Sequence, residues 1–203
     1  MSEEATPAEF SSLVLATRND HKLREFTEAM GGVDLDPLPE EVELPPETDE
    51  TFADNALGKA RAAAVATGRP SLADDSGIES RALGGLPGVR SARFAGEDAT
   101  DEENLEKLLH ALEGEEDRRV AYVCALALVT PDGSEWVVEG RCEGEFTDNP
   151  RGSGGFGYDP AFVPTAGGDE RTMAELSPEE KHRLSHRGFA VRKMLDLMRA
   201  ARS

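Results

Sequence analysis

An α/β fold is predicted by three features of this 203-residue sequence. Short apolar runs alternate with helical patterns through its first half, and a long hairpin signature follows. In addition, 38% of the residues are apolar, enough to bury one sizeable core or two lobes that share a sheet.

The elements follow in order. Residues 1–11 are polar and expected to fray, leaving residues 12–203 as a single domain. Leu13–Ala16 is a short apolar run of the kind that forms a buried strand. The polar segment Thr17–Lys22 separates it from a helical pattern over Leu23–Met30, which Gly31 and Gly32 close. Val33–Leu38 reads as a second strand. Pro39–Glu50, rich in Pro and Glu and without periodicity, reads as a long loop, and loops of that length are often functional. The Ala-rich Thr51–Thr67 ends at Gly68 and reads as a helix, after which Pro70–Ala73 leads as a strand into a turn at Asp74-Asp-Ser-Gly77.

Thr100 and Glu103 match a capping box ahead of Leu105, Leu108, Leu109 and Leu112. Val120–Val129 and Trp136–Phe146 flank the turn Thr130-Pro-Asp-Gly-Ser134 as the arms of a hairpin, and the first arm is apolar on both faces, as a central strand is. Gly152–Pro160 is too glycine-rich for regular structure. Ser177, Pro178 and Glu180 open one helix, with Pro at its first position, and Ser185 caps another with an apolar stripe of Phe189, Val191, Met194, Leu195 and Met198. No internal repeat and no linker long enough to separate domains is present.

Lys and Arg number 22 against 41 Asp and Glu, a formal net charge of −19. The excess is spread along the chain, so a protein that binds nucleic acid through clustered cations is disfavoured. The acidic runs Glu97–Glu106 and Glu113–Asp117 read as solvated surface, and their density fits adaptation to high salt, where self-repulsion is screened. No stretch approaches the roughly 18 apolar residues of a membrane span, and the start lacks the basic region of a signal peptide, so a cytoplasmic protein is expected. Cys124 and Cys142 fit neither a zinc spacing nor a disulfide framework; on strands expected to pair, they read as reduced, buried thiols, with a cross-strand bridge as the alternative.

Four segments carry chemistry. Thr17, Asn19 and Lys22 lie where a strand ends and a helix begins, a place where free N–H groups and the helix dipole favour an anion such as phosphate; the same residues also read as an ordinary helix cap. Asp74 and Asp75 supply hard oxygens suited to Mg²⁺ beside a phosphate, or brace an Asp-Ser-Gly turn. In Gly152–Pro160, Phe156 offers a stacking plane and Asp159 an acceptor, or the rings are simply buried in a tight turn. Ser185, His186 and Arg187 gather donors at a helix start. His182 and His186 are separated by the cap at Ser185, which argues against a His-x-x-x-His metal site. Together these are the parts of a nucleotide site.

The chain resembles the inosine triphosphate pyrophosphatase family. The motifs that carry the resemblance are Leu15-Ala-Thr-Arg-Asn-Asp-His-Lys22, Glu47-Thr-Asp-Glu-Thr-Phe-Ala-Asp-Asn-Ala56 with Lys59-Ala-Arg61, Ala73-Asp-Asp-Ser-Gly77, Leu83-Gly-Gly-Leu-Pro-Gly88, Ser91-Ala-Arg-Phe94, Gly154-Gly-Phe-Gly-Tyr-Asp-Pro160 and Ser185-His-Arg-Gly188. They run in family order over nearly the whole chain. The resemblance implies a mixed β-sheet with flanking helices, two lobes around a central groove, and a homodimer. It implies a purine nucleoside triphosphate substrate and hydrolysis of ITP, dITP and XTP to monophosphate and pyrophosphate with Mg²⁺.

Residue by residue, the resemblance assigns the triphosphate loop to Thr17, Arg18, Asn19, Asp20, His21 and Lys22. The metal falls to Glu47 and Asp75, with Asp75 also the catalytic base and Ser76 binding substrate beside it. Glu50 is a nearby acid that the family does not require. Base recognition falls to Phe156, Gly157, Tyr158, Asp159, Lys181, His186 and Arg187, while Arg93 lies in a matching motif without a role. His186 and Arg187 would donate to a 6-keto oxygen and meet the 6-amino group of adenine donor against donor. Exclusion of guanine would fall to its 2-position, through Asp159 or nearby backbone. A silent nucleotide binder and a phosphatase that removes only the terminal phosphate are the competing functions.

Overall fold

A computed structural model describes residues 10–200 of the chain. Residues 1–9 of the segment expected to fray lie outside the described residues. Six strands form one mixed sheet: β1 (Ser12–Leu15), β2 (Asp34–Pro37), β3 (Ser71–Ser80), β4 (Arg119–Val129), β5 (Glu135–Phe146) and β6 (Phe162–Pro164), in the order β2-β1-β3-β4-β5-β6. β1 pairs in parallel with β2 and β3, and β5 pairs antiparallel with β6. The helices are α1 (Asp20–Ala29), α2 (Phe52–Thr67), α3 (Asp101–Ala111), α4 (Pro178–Leu184) and α5 (His186–Ala200). Among the described residues no helix is long and apolar enough to cross a membrane.

Local chemistry sets most boundaries. Thr51 caps α2 by accepting from the Asp54 amide, and Gly68 closes it in the left-handed conformation at φ 64°, where a Cβ would be strained. Thr100 with Glu103 and Ser177 with Glu180 complete the reciprocal capping boxes that their spacing predicts, and Pro178 stands in the first turn of α4. The turn after β4 is tied by Thr130, whose amide donates to the Ser134 carbonyl at 3.0 Å. β4 is buried on both faces from Val120 onward. β2 is the exposed edge strand, and its Asp34, Asp36 and Pro37 deter further pairing.

Two expectations are corrected. α1 begins at Asp20 rather than Leu23, because the Asn19 side chain accepts from the amides of His21 and Lys22 and so caps the helix three residues earlier. β3 does not turn at Asp74–Gly77 but continues to Ser80. Gly77 serves close approach there: a Cβ on it would sit 2.4 Å from Ser91 Oγ and 2.5 Å from the Gly88 carbonyl. Ser91 Oγ accepts from the Ile78 amide at 2.8 Å and donates to that carbonyl at 2.6 Å, fastening the 3₁₀ turn Gly88–Arg93 to the strand. A third difference is β6, for which the sequence gives no expectation: it is three residues long and without a pattern of its own.

The chain divides into two compact units. Of the described residues, one comprises 10–75, Ala125–Gly140 and 190–200; the other comprises Ser76–Cys124 and Arg141–Phe189. The first buries Leu13, Leu15, Phe26, Phe52, Leu72, Leu126 and Met194, and the Phe10 ring meets Trp136 edge-on at 5.8 Å. The second is built around Ile78, Leu108, Leu112, Tyr122, Phe146, Tyr158 and Phe162. Cys124 and Cys142 are both free and buried in this second unit, as expected.

Candidate active site

The residues singled out by sequence form two clusters, one in each unit. In the first, β3 and α2 supply most of the groups. Asp74 and Asp75 alternate on β3 and are 1% and 4% exposed. Lys22, on the first turn of α1, reaches Asp74 Oδ2 at 2.9 Å. Asn55 of α2 donates to Asp75 Oδ2 at 2.9 Å. One turn further along α2, Lys59 is ion-paired with Glu47 of the long loop.

The electrostatics of this cluster are unusual for carboxylates. Burial, and then the charge of Glu47, push the Asp75 carboxyl up to about 6, against the opposing pull of Lys59, Lys22 and the Asn55 hydrogen bond. Burial works against the charge on Lys59, but Asp74, Glu47 and Asp75 outweigh it and hold its ammonium above the ordinary lysine value. Two cations thus sit among three carboxylates, a setting ready to receive phosphate once the carboxylates are neutralised.

Among the described residues no three His, Cys, Asp or Glu side chains gather into a metal cage. A hard cation such as Mg²⁺ does not require one, since it is commonly held by one or two carboxylates, waters and substrate phosphates. Glu47 and Asp75 fit that donor set: burial first, and then the charge of Glu47, work against the ionised Asp75, and a bound cation would offset both.

The remaining residues of the loop after β1 serve structure as well. Thr17 Oγ1 accepts from the Asn19 amide at 3.2 Å, and Asn19 caps α1. Asp20 and His21 are exposed on the first turn, with the His21 ring 3.1 Å from Arg24. Arg18 turns its guanidinium onto the carbonyls of Leu38, Pro39, Glu40 and Val42. Glu50 is exposed.

The second cluster starts at Ser76, whose Oγ accepts from Arg187 at 2.9 Å. Arg187 and Lys181 both lie over the half-buried Phe156 ring, at 5.0 and 5.3 Å from its centroid. His186, 4% exposed, stacks on Tyr122 at 4.7 Å. Asp159 is the hub: it accepts from Tyr122 Oη at 3.0 Å, from Lys181 Nζ at 2.7 Å and from the Phe156 amide at 3.0 Å. Its carboxylate is therefore engaged by the protein's own donors on both oxygens. The Gly157 amide donates to Asp101 at 2.9 Å. Tyr158 is not brought to the platform by its side chain, since its ring belongs to the core and its hydroxyl donates to the Ser91 carbonyl at 2.8 Å. Arg93 pairs with Glu97 at 3.8 Å.

Sequence reasoning gave Asn55 and Lys59 no role, although both stand in motifs of the resemblance, and passed over Tyr122. A signal for the first two exists: they occupy the same helix face as Phe52, Ala56, Ala60 and Ala63, where a buried Asn and a buried Lys call for partners. Tyr122 sits in a strand apolar on both faces and gives no such signal.

A sequence model of the Ham1 family matches residues 13–197. The dITP/XTP pyrophosphatase of Geobacillus kaustophilus is 48% identical over 189 residues, covering 90% of this chain and 91% of its own. That of Mycobacterium bovis is 47% identical over 203 residues, covering 94% and 96%. Among solved structures, a HAM1 protein from Coxiella burnetii superposes with a TM-score of 0.83 at 41% identity, covering 93% of this chain and 98% of that one. With a carboxylate–lysine cluster, a cation-flanked aromatic platform and matches of this extent, the chain belongs to the Ham1 family.

Proposed function

We propose that this protein hydrolyses deaminated purine nucleoside triphosphates, dITP, ITP and XTP, to the monophosphate and pyrophosphate, and so clears them from the nucleotide pool. The observation that carries this reading is the cluster around Asp75: a buried carboxyl that accepts from Asn55 at 2.9 Å, next on β3 to Asp74, which Lys22 pairs, with Glu47 paired by Lys59.

In this reading Glu47 and Asp75 would hold Mg²⁺, which when bound supplies neutralisation of the triphosphate oxygens. Asp75 accepts a proton from the attacking water as its oxygen forms a bond to the α-phosphorus, and the bond from that phosphorus to the bridging oxygen of the leaving pyrophosphate breaks. Lys22 and Lys59 offset the charge of the departing pyrophosphate. Asn55 keeps Asp75 in one orientation through its 2.9 Å hydrogen bond.

At the base end, the Phe156 ring provides the stacking plane and His186 and Arg187 the donors for the 6-keto oxygen. Arg187 is held by Ser76 and His186 by the Tyr122 ring, so both are set before substrate arrives. Adenine, presenting an amino group there, would leave buried donors unpaired at a cost of about 1–3 kcal/mol each.

Product analysis with dITP or XTP and Mg²⁺ tests the reading. The expected products are dIMP or XMP with pyrophosphate. The diphosphate with orthophosphate would overturn it in favour of a terminal phosphatase, and binding without turnover would overturn it in favour of a silent binder.

A further inference from the structure

The loop between β2 and α2 has no regular structure, yet it carries Glu47. Backbone carbonyls in such a segment need donors, and a curved run of them can be met by one group that carries several. Arg18 provides it from the loop after β1: Nη1 donates to the Leu38 carbonyl at 2.8 Å, and Nη2 lies 2.7 Å from that of Pro39, 3.3 Å from that of Glu40 and 2.8 Å from that of Val42. One planar guanidinium thus spans the first turn of the loop, where Leu38 and Val42 are themselves buried. The far end is fastened separately, by Asn55 Oδ1 accepting from the Asp49 amide at 3.1 Å and by Lys59 on Glu47. Glu47 lies between Val42, the last carbonyl that Arg18 holds, and Asp49, and is itself paired with Lys59.

We propose that Arg18 is a positioning residue for the metal carboxylate: it locks the entry of the 38–50 loop to the phosphate loop, and so sets where Glu47 stands relative to Asp75. This rests on the assignment of Glu47 and Asp75 given above. A guanidinium committed to four carbonyls acts through the loop rather than on the triphosphate. Lysine, a single point charge without the planar fork, replaces it poorly.

The test compares Arg18→Ala and Arg18→Lys with the unaltered protein and with Arg69→Ala, which removes another arginine of the same unit, bound to Asp36 and Ser12. Hydrogen exchange read by mass spectrometry, without metal, follows peptides covering residues 38–51, where the amides of Val42, Thr48 and Asp49 are hydrogen-bonded. Faster exchange there in both Arg18 variants, with β3 and β4 peptides unchanged, is expected. With dITP as substrate, the apparent activation constant for Mg²⁺ should rise about tenfold, as when groups that orient metal ligands are removed. Arg69→Ala should alter neither the exchange of residues 38–51 nor the Mg²⁺ constant.

Unchanged loop exchange overturns the proposal, as does faster exchange with an unchanged Mg²⁺ constant. A higher KM for dITP at saturating Mg²⁺ with unchanged loop exchange overturns it in favour of direct contact with the triphosphate. If Arg18→Ala does not fold, Arg18→Lys carries the comparison. An unaltered protein that does not hydrolyse dITP would defeat the functional assignment, and is distinguished by the exchange measurement, which needs no turnover.

Discussion

Replacing Asp75 with Asn should make the protein more stable while abolishing its activity. The carboxyl is lifted from 3.8 to about 6, chiefly by burial and by the charge of Glu47. That is about two pH units, and at about 1.4 kcal/mol per unit the ionised carboxylate costs the folded chain about 3 kcal/mol. Because the folded state holds this proton more tightly than the unfolded one, stability falls as pH rises from about 4 to about 6, and the whole cost is present above that window. Asn is nearly the same size, keeps an oxygen to accept from Asn55, and carries no charge to repel Glu47. In urea unfolding with EDTA at pH 8, Asp75→Asn should therefore gain up to about 3 kcal/mol, or about 6–12 °C in Tm for a chain of this size. The gain should shrink towards zero at about pH 3.5, where Asp75 is protonated in both states. Turnover of dITP should fall by at least about 100-fold, the ordinary worth of a general base. No gain at pH 8, or a gain that persists in acid, would refute the electrostatic reasoning, and a kcat above about a tenth of the original would remove Asp75 from the base role.

Other outcomes follow from the same geometry. Arg187→Ala should erode the preference for dITP over dATP more than it lowers turnover of dITP; an unchanged ratio of kcat/KM values would mean that the base is read elsewhere. Burial, with the charges of Glu143 and Asp159, pushes the Cys142 thiol up to about 12, and Cys124 is buried with it. Neither thiol should react with Ellman's reagent at pH 8 in the folded protein, both should react in urea, and stoichiometric reaction in the native state would contradict their burial. Glu97, Asp98, Glu102, Glu103, Glu106, Glu113, Glu115 and Glu116 are all exposed. With a net charge of −19, molar KCl should raise the urea midpoint by screening their repulsion. An unchanged midpoint would leave the acidic surface without a stabilising link to salt.

What the sequence by itself determined is local. Capping boxes at Thr100 and Ser177, the helix stop at Gly68 and the turn at Thr130–Ser134 depend on groups within about four residues of one another, so their spacing alone specifies them. The ordered motifs likewise indicated the family and which residue types to examine. Only the tertiary structure decided what those residues face. β3 runs on through Asp74–Gly77 because it lies inside the sheet between β1 and β4, and Gly77 leaves room for Ser91. Asn55 and Lys59 become functional candidates only once α2 presents them to Asp75 and Glu47. Asp159 is engaged by Tyr122 and Lys181, residues 37 and 22 positions away, and Arg18 finds its carbonyls 20–24 positions on. Hydrogen-bond partners at such separations leave no periodicity in the chain, because what joins them is the fold rather than their spacing.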